Sequence, residues 1–350
     1  MIEIKGLSKN WRGFSLKNVN LRVEKGEYFI ILGPTAAGKT LLLELIAGFC
    51  EPNEGGIWIN DKNVTRMTPE KRGTGFVYQD YSLFPHLTVK ENIEFGLKIK
   101  GMPKSRIEEK SKEIMDILGI SHLSHRRPRT LSGGEQQRVA IARGIVIEPS
   151  VMLLDEPLNA LDARTQIQLR GELKKIHREA KLTTIHVTHD QTEAMVLADR
   201  IGVMMNGEIV QTGSPEEIFH FPLNERVAEF VGVENIIEGM VTSNEEGVAT
   251  IRIDDHIMEA ISSAKVGDRV RVCLRPESIT IAPSKTLSSA RNSFSGMITQ
   301  LVPLGATCRI EIDCGFPLIS LVTKTSAEDL GLRVGKGVCA SFKASSVHVF

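Results

Sequence analysis

Aromatic residues are scarce in this chain, with Phe, Trp and Tyr making up 5% of its 350 residues. A platform for single-stranded nucleic acid needs several exposed rings on a basic stripe, and the stripe is missing as well. The 43 Lys and Arg are matched by 43 Asp and Glu, for a formal net charge of +0, so no long-range field favours nucleic acid. Cysteine is rare too. Five are scattered without a CxxC pair, which fits a reducing cytosol better than a disulfide framework. Cys308 and Cys314 come nearest to a pair, but Cys308, Ile310, Ile312 and Cys314 share one face of an alternating stretch, with Arg309, Glu311 and Asp313 on the other. That pattern predicts a strand with two core cysteines, not a metal site. Apolar runs are short. None reaches the roughly 18–20 residues of a membrane span, and no signal peptide is evident, so action at a membrane would go through partners. The length allows two or three domains and a sizeable core.

The chain is organised around Gly33-Pro34-Thr35-Ala36-Ala37-Gly38-Lys39-Thr40. An apolar run, Tyr28–Leu32, precedes it, and Leu41–Ala47 follows as a helix that Gly48 ends. Strand, glycine-rich loop and helix is the context of a phosphate-binding P-loop. The loop N–H groups and the helix N-terminus favour an anion. Lys39 would reach the β- and γ-phosphates, and Thr40 would hold Mg²⁺. Ala36 stands where many such loops have glycine, and alanine tolerates an unusual backbone angle less well. Upstream, Trp11 sits between the predicted strands of residues 1–32; it is either a packed aromatic or a ring stacked on a nucleotide base.

Gly75–Gln79 reads as a short strand ending in an amide that would bind Mg²⁺ or the attacking water, or cap the strand. From about residue 83 to 149 the texture becomes helical, with Val89–Ile99 and Ile107–Leu118 showing the 3.6-residue period. Within it, Ser132-Gly133-Gly134-Glu135-Gln136-Gln137-Arg138 has capping-box spacing and two glycines at a helix start. Val151–Leu154 then reads as a buried parallel strand ending in Asp155 and Glu156. Asp155 is placed to hold Mg²⁺ and Glu156 to take a proton from water. Leu158–Asp162 is a tight connection, and Thr183–Thr188 is another buried strand that leads to His189. In open α/β sheets ligands bind at such strand ends.

These motifs, in this order, resemble the ATP-binding-cassette ATPase family. The resemblance covers about residues 1–232. It implies an α/β cassette with a helical insertion and a homodimer in which two ATP molecules lie between head-to-tail cassettes. Glu156, His189 and Gln79 would be catalytic. Trp11 and the eight P-loop residues Gly33 to Thr40, with Asp155, would bind nucleotide; Thr40, Gln79 and Asp155 would hold Mg²⁺. Ser132, Gly133, Gly134 and Gln136 would complete the partner's ATP site. The Gln79–Thr88 segment looks like the importer branch, which implies integral-membrane permease subunits, an extracytoplasmic binding protein acting indirectly, and a place on the cytoplasmic face of the membrane.

Residues 235–350 read as an all-β domain with an internal repeat, about 235–282 and 290–350. Asn235–Thr242 returns as Asn292–Thr299, Val266–Val270 as Val334–Val338, and Arg275–Ile279 as Lys343–Val347. The offset grows from 57 (292 − 235) to 68 (334 − 266), an insertion of about 11 in the second copy. Two OB-like units are expected, linked by Pro283–Ser289. Three segments of the second copy, with Arg291, Asn292, Ser293, Ser326, Lys343, Ser345 and Ser346, resemble molybdate-binding modules, in which the oxyanion lies between neighbouring domains. The resemblance as a whole implies an importer ATPase that uses ATP and Mg²⁺ and is regulated by molybdate or tungstate. An importer of a sugar or other solute, with a protein-binding regulatory domain, is the other transport reading.

Overall fold

A computed structural model of the chain describes residues 1–159, 161–285 and 288–350. It divides into two compact units, Met1–Ile218 and Phe219–Phe350.

The first unit has two sheets. β1 (Ile2–Trp11), β2 (Phe14–Val23), β4 (Glu54–Ile59) and β5 (Lys62–Asn63) form an antiparallel sheet in the order β2-β1-β4-β5. The second sheet runs β10-β9-β3-β8-β7-β6. Its strands are β3 (Tyr28–Leu32), β6 (Thr74–Val77), β7 (Val151–Asp155), β8 (Thr184–Thr188), β9 (Arg200–Met205) and β10 (Glu208–Gly213), all parallel except β10. Every residue of β3, β7 and β8 is buried, as expected of parallel strands covered on both faces. α1 (Lys39–Ala47) follows β3 and ends at Gly48, which is left-handed at φ 91 and donates its N–H to the Glu44 and Leu45 carbonyls.

Between β6 and β7 lie α2 (Val89–Ile99), α3 (Lys104–Ile117) and α4 (Gly133–Ile145). α2 has the expected bounds; α3 opens three residues before the expected Ile107, directly after Pro103. Capping boxes start α2, from Thr88 to Glu91, and α4, from Ser132 to Glu135. α5 (Ala163–Glu179) and α6 (Gln191–Leu197) complete the layer around the sheet, and the division between units falls inside α7 (Pro215–His220). Ala160, in the predicted Leu158–Asp162 connection, lies outside the described residues, as do Thr286 and Leu287 of the predicted link. Among the described residues no helix is long and apolar enough to cross a membrane.

The second unit opens with α8 (Glu225–Phe230) and then repeats itself. β11 (Asn235–Glu245), β12 (Val248–Ile253), β13 (His256–Ile261), β14 (Arg269–Leu274) and β15 (Thr280–Ala282) are followed by β16 (Asn292–Leu304), β17 (Thr307–Asp313), β18 (Pro317–Thr323), α9 (Lys324–Asp329), β19 (Gly337–Phe342) and β20 (His348–Val349). Both sheets are antiparallel and five-stranded, β13-β12-β11-β14-β20 and β15-β19-β16-β17-β18. Each repeat gives its last strand to the other sheet. The extra residues of the second copy fall where α9 lies. A bulge breaks the β11–β12 register between Val241 and Ser243 and the β16–β17 register between Ile298 and Gln300, the same place in each copy. Cys308 and Cys314 are buried in the shared core with Ile310 and Ile312.

The leading asparagine of each repeat fastens it to the other. Asn235 on β11 donates its amide to the Leu274 and Ile319 carbonyls at 3.0 and 2.9 Å and accepts from Ile319 N–H at 2.6 Å. Asn292 on β16 donates to Glu259 C=O at 2.8 Å and accepts from Glu259 N–H at 2.7 Å. Both side chains are buried. Asn235→Ala would leave buried peptide groups unpaired, each costing about 1–3 kcal/mol. Denaturant unfolding should show the variant about 2–4 kcal/mol less stable; a change below about 0.5 kcal/mol, within the range of an ordinary surface substitution, would show that the clamp holds nothing together.

Candidate nucleotide site

The site is built where β3, β8, β7 and β6 end side by side. The Gly33–Thr40 loop leaves β3, His189 follows β8, Asp155 and Glu156 end β7, and Gln79 lies just beyond β6. A cavity of about 610 Å³ opens here, lined by Thr35 to Thr40, Gln79, Glu156 and His189. One parallel sheet thus brings together groups more than a hundred residues apart in the chain.

The loop's shape has specific causes. Gly38 is left-handed at φ 101, and a Cβ on it would come within 2.6 Å of the Phe14 ring, so only glycine fits. Ala36 is left-handed too, at φ 64, a conformation costing roughly 1–2 kcal/mol for an L-residue. The departure noted in the sequence is therefore a strained position. Lys39 is buried and donates from Nζ to the Gly33 and Pro34 carbonyls, both at 2.9 Å. Its Nζ lies 3.8 Å from Glu156 Oε1. Burial pushes the Lys39 pKa down, while Glu156 and Asp155 act to raise it.

Glu156 sits at φ 42, a strained backbone of the kind that gathers at functional sites. Its carboxylate is held from both sides: Asn159 Nδ2 donates to Oε2 at 2.9 Å, and His189 Nδ1 lies 3.2 Å from Oε1. Thr40 Oγ1 donates to Asp155 Oδ1 at 2.9 Å. Asp155 is 5% exposed, and burial, opposed by the Thr40 bond, raises its pKa above the usual carboxylate value. Thr40, Asp155 and Gln79 offer oxygen donors of the hard type that Mg²⁺ takes.

Two residues here carried no legible signal in the sequence. Phe14 and Gly13 line the cavity. Trp11, the expected stacking ring, does not line it; it pairs with Phe14 across the β1–β2 turn, packs on the core below, and has Lys9 Nζ 6.0 Å over its ring. Asn159 lies in the predicted Leu158–Asp162 connection. Its spacing of three residues from Glu156 was the available cue.

Ser132, Gly133 and Gly134 lie at a second cavity, of about 360 Å³, whose lining shares no residue with the first. Ser132 Oγ accepts from Glu135 N–H, and Gln136 Nε2 donates to Leu131 C=O at 3.2 Å.

The candidate oxyanion residues fall into two groups. Asn292 and Ser293, which open β16, pair with Phe342 and Ser341 at the end of β19, just before Lys343, Ser345 and Ser346, while Arg291 precedes the strand with its Nε 3.9 Å from Glu259 Oε2. Ser326 is on α9, whose Lys324 N–H bonds Ala306 just past the other end of β16, about 40 Å away along the strand at 3.3 Å per residue. Asn292 is engaged with Glu259, Ser293 Oγ lies 3.1 Å from Ser341 Oγ, and Ser326 Oγ lies 2.7 Å from Thr323 Oγ1. Lys343, Ser345 and Ser346 are exposed.

A raised carboxylate pKa means that the folded state binds more protons than the unfolded one, so stability falls as pH rises from the unfolded value through the folded one. Asp155→Asn keeps an oxygen for Thr40 and removes the buried charge. Without nucleotide, the variant should melt higher than wild type at pH 7, and the gap should close as pH falls through the carboxylate range. Equal melting temperatures at pH 7 would contradict the assignment.

The ABC transporter family model matches residues 16–159, and the TOBE domain model residues 288–349. The molybdate/tungstate import ATP-binding protein WtpC of Pyrococcus horikoshii is 44% identical over 100% of both chains. The Thermococcus kodakarensis protein of that name is 46% identical over 85% of this chain and 88% of its own. The spermidine/putrescine import ATP-binding protein PotA of Vibrio cholerae is 39% identical over 99% of this chain and 93% of its own. A dimeric ATP-binding cassette solved in a post-hydrolysis state with ADP and Pi superposes with a TM-score of 0.56 at 31% identity, covering 61% of this chain and 99% of that one. The chain belongs to the ABC transporter family of ATPases, as an ATP-binding cassette followed by a TOBE domain.

Proposed function

We propose that this chain is the ATP-hydrolysing subunit of a molybdate/tungstate importer, working as a homodimer against membrane permease subunits on the cytoplasmic face and inhibited by the oxyanion it imports. The observation that carries the substrate is the 44% identity to WtpC over the whole of both chains, against 39% for the polyamine ATPase. The polyamine and maltodextrin names among the relatives support a second reading, an importer for another solute.

In the proposed cycle Lys39 and the loop N–H groups hold the phosphates of ATP. Mg²⁺, held by Thr40, Asp155 and Gln79, would neutralise phosphate charge. Glu156 takes the proton of the attacking water, with Asn159 and His189 fixing its orientation. The separate lining of the Ser132 cavity supports its use by a partner's nucleotide. Glu156→Gln should lower ATP turnover about 10²–10⁴-fold and leave ATP binding intact; turnover near wild type would remove Glu156 as the base.

The regulatory half rests on how the two repeats differ. Arg275 of the first copy donates to Phe219 C=O at 3.0 and 2.7 Å and pairs with Glu277. Lys343, at the same place in the second copy, is exposed and has no side-chain partner among the described residues. It is the cation left for an oxyanion, with Arg291, Ser345 and Ser346 beside it. The separation of Ser326 along β16 suits an ion held between two copies. Such an ion stabilises the paired arrangement by about 2.7 kcal/mol at a hundredfold excess over its Kd, enough to tip gaps of a few kcal/mol. Molybdate or tungstate should therefore inhibit ATP hydrolysis by the assembled complex, and Lys343→Ala should relieve inhibition without changing basal turnover. Equal inhibition of both proteins, or none of the wild type, would overturn the regulatory site and favour the second reading.

A further inference from the structure

At the opposite end of the parallel sheet from the nucleotide cleft, where β3 and β8 begin, lies a cavity of about 450 Å³. Lys25, Lys174, Arg178 and Lys181 line it, against one carboxylate, Asp199. Asp199 Oδ2 accepts from the Tyr28 N–H at 2.8 Å. Carboxylates nearby in sequence are taken by other cations: Glu24 by Arg22, Glu27 by Arg200, Glu179 by Lys175. Lys25, Arg178 and Lys181 have no ion pair among the described residues.

Basic side chains at a helix C-terminus commonly offset its dipole. α5 and α6 both end beside this cavity, and Lys174 Nζ donates to Val196 C=O near the end of α6. Two helix ends supply at most about −0.5 charge each. Together with Asp199 they offset two of the four cations. About two positive charges remain in one concavity of a chain whose net charge is +0. The floor is firm. Tyr28 and His177 are 2% and 8% exposed, and His177 Nδ1 lies 3.0 Å from Thr184 Oγ1. The volume falls in the roughly 300–1,000 Å³ range of small-molecule sites.

We propose that this cavity is a second anion site, taking a small molecule that carries two or more phosphate groups. Arg178 offers the fork that grips a phosphate bidentately, and Lys25 and Lys181 act as point charges at the rim.

Inorganic pyrophosphate is the probe, titrated calorimetrically into the full-length chain at low salt without Mg²⁺. Binding at this cavity should survive Lys39→Ala, which removes the main phosphate cation of the nucleotide cleft. It should weaken about tenfold or more in Arg178→Gln/Lys181→Gln, since the charge-assisted bonds of both side chains are lost. Lys104→Gln/Lys112→Gln, which removes the same charge from exposed positions on α3, should leave it unchanged. Loss of all binding in Lys39→Ala, or equal weakening by the two double variants, overturns the proposal.

Discussion

The nucleotide cleft depends on the parallel pairing of β3 with β8, β8 with β7, and β7 with β6. The register sets Leu32 beside Thr188, Asp155 beside Val187, and Val77 beside Leu154. Neighbouring strands lie about 4.8 Å apart, so the loop after β3, His189, the Asp155–Glu156 pair and Gln79 emerge in one row within reach of a single triphosphate. Slipping one strand by a residue would invert its side chains and move its functional group off the row. What resists slippage is close packing on both faces: every residue of β3, β7 and β8 is buried, so a slipped side chain would meet a layer shaped for a different one.

The same convergence makes the cleft a place of opposed charges and strained backbone. Lys39 and Asp155 are both 5% exposed, and burial disfavours the ionised form of each. Ala36 and Glu156 add left-handed backbone. A sequence chosen for stability alone would soften these features, since strained and desolvated groups persist where function needs them. Lys39 is steadied by loop carbonyls and Glu156 by Asn159 and His189, so the cations and acids hold their places through short-range bonds, not through the field of the whole chain.

Local chemistry was legible in the sequence and long-range exchange was not. Gly38, Lys39 and Thr40 could be read because loop, strand and helix are contiguous. The capping box at Ser132 and Glu135 could be read because its partners are three residues apart. The repeat showed in the return of Asn235–Thr242 at Asn292–Thr299. What no spacing revealed is that each repeat lends its last strand to the other sheet, or that Asn235 and Asn292 are clamps: their partners, Ile319 and Glu259, are 84 and 33 residues away. Phe14 was missed for a related reason. Trp11 and Phe14 flank one turn, and which ring faces the cleft is decided by how the hairpin packs on Gly38 and the core.

The exchange of strands explains why a duplicated unit can diverge without falling apart. β15 completes the second sheet and β20 the first, so neither copy has its full sheet without the other, and both share one core. Structural demands can then be divided unequally. Arg275 uses three guanidinium nitrogens on Phe219, Val231 and Glu277. With that tie made by the first copy, the matching position in the second needs no such bonds, and Lys343 stays in solvent. On the proposed reading, the regulatory cation arises there because the interlocked partner already holds the fold.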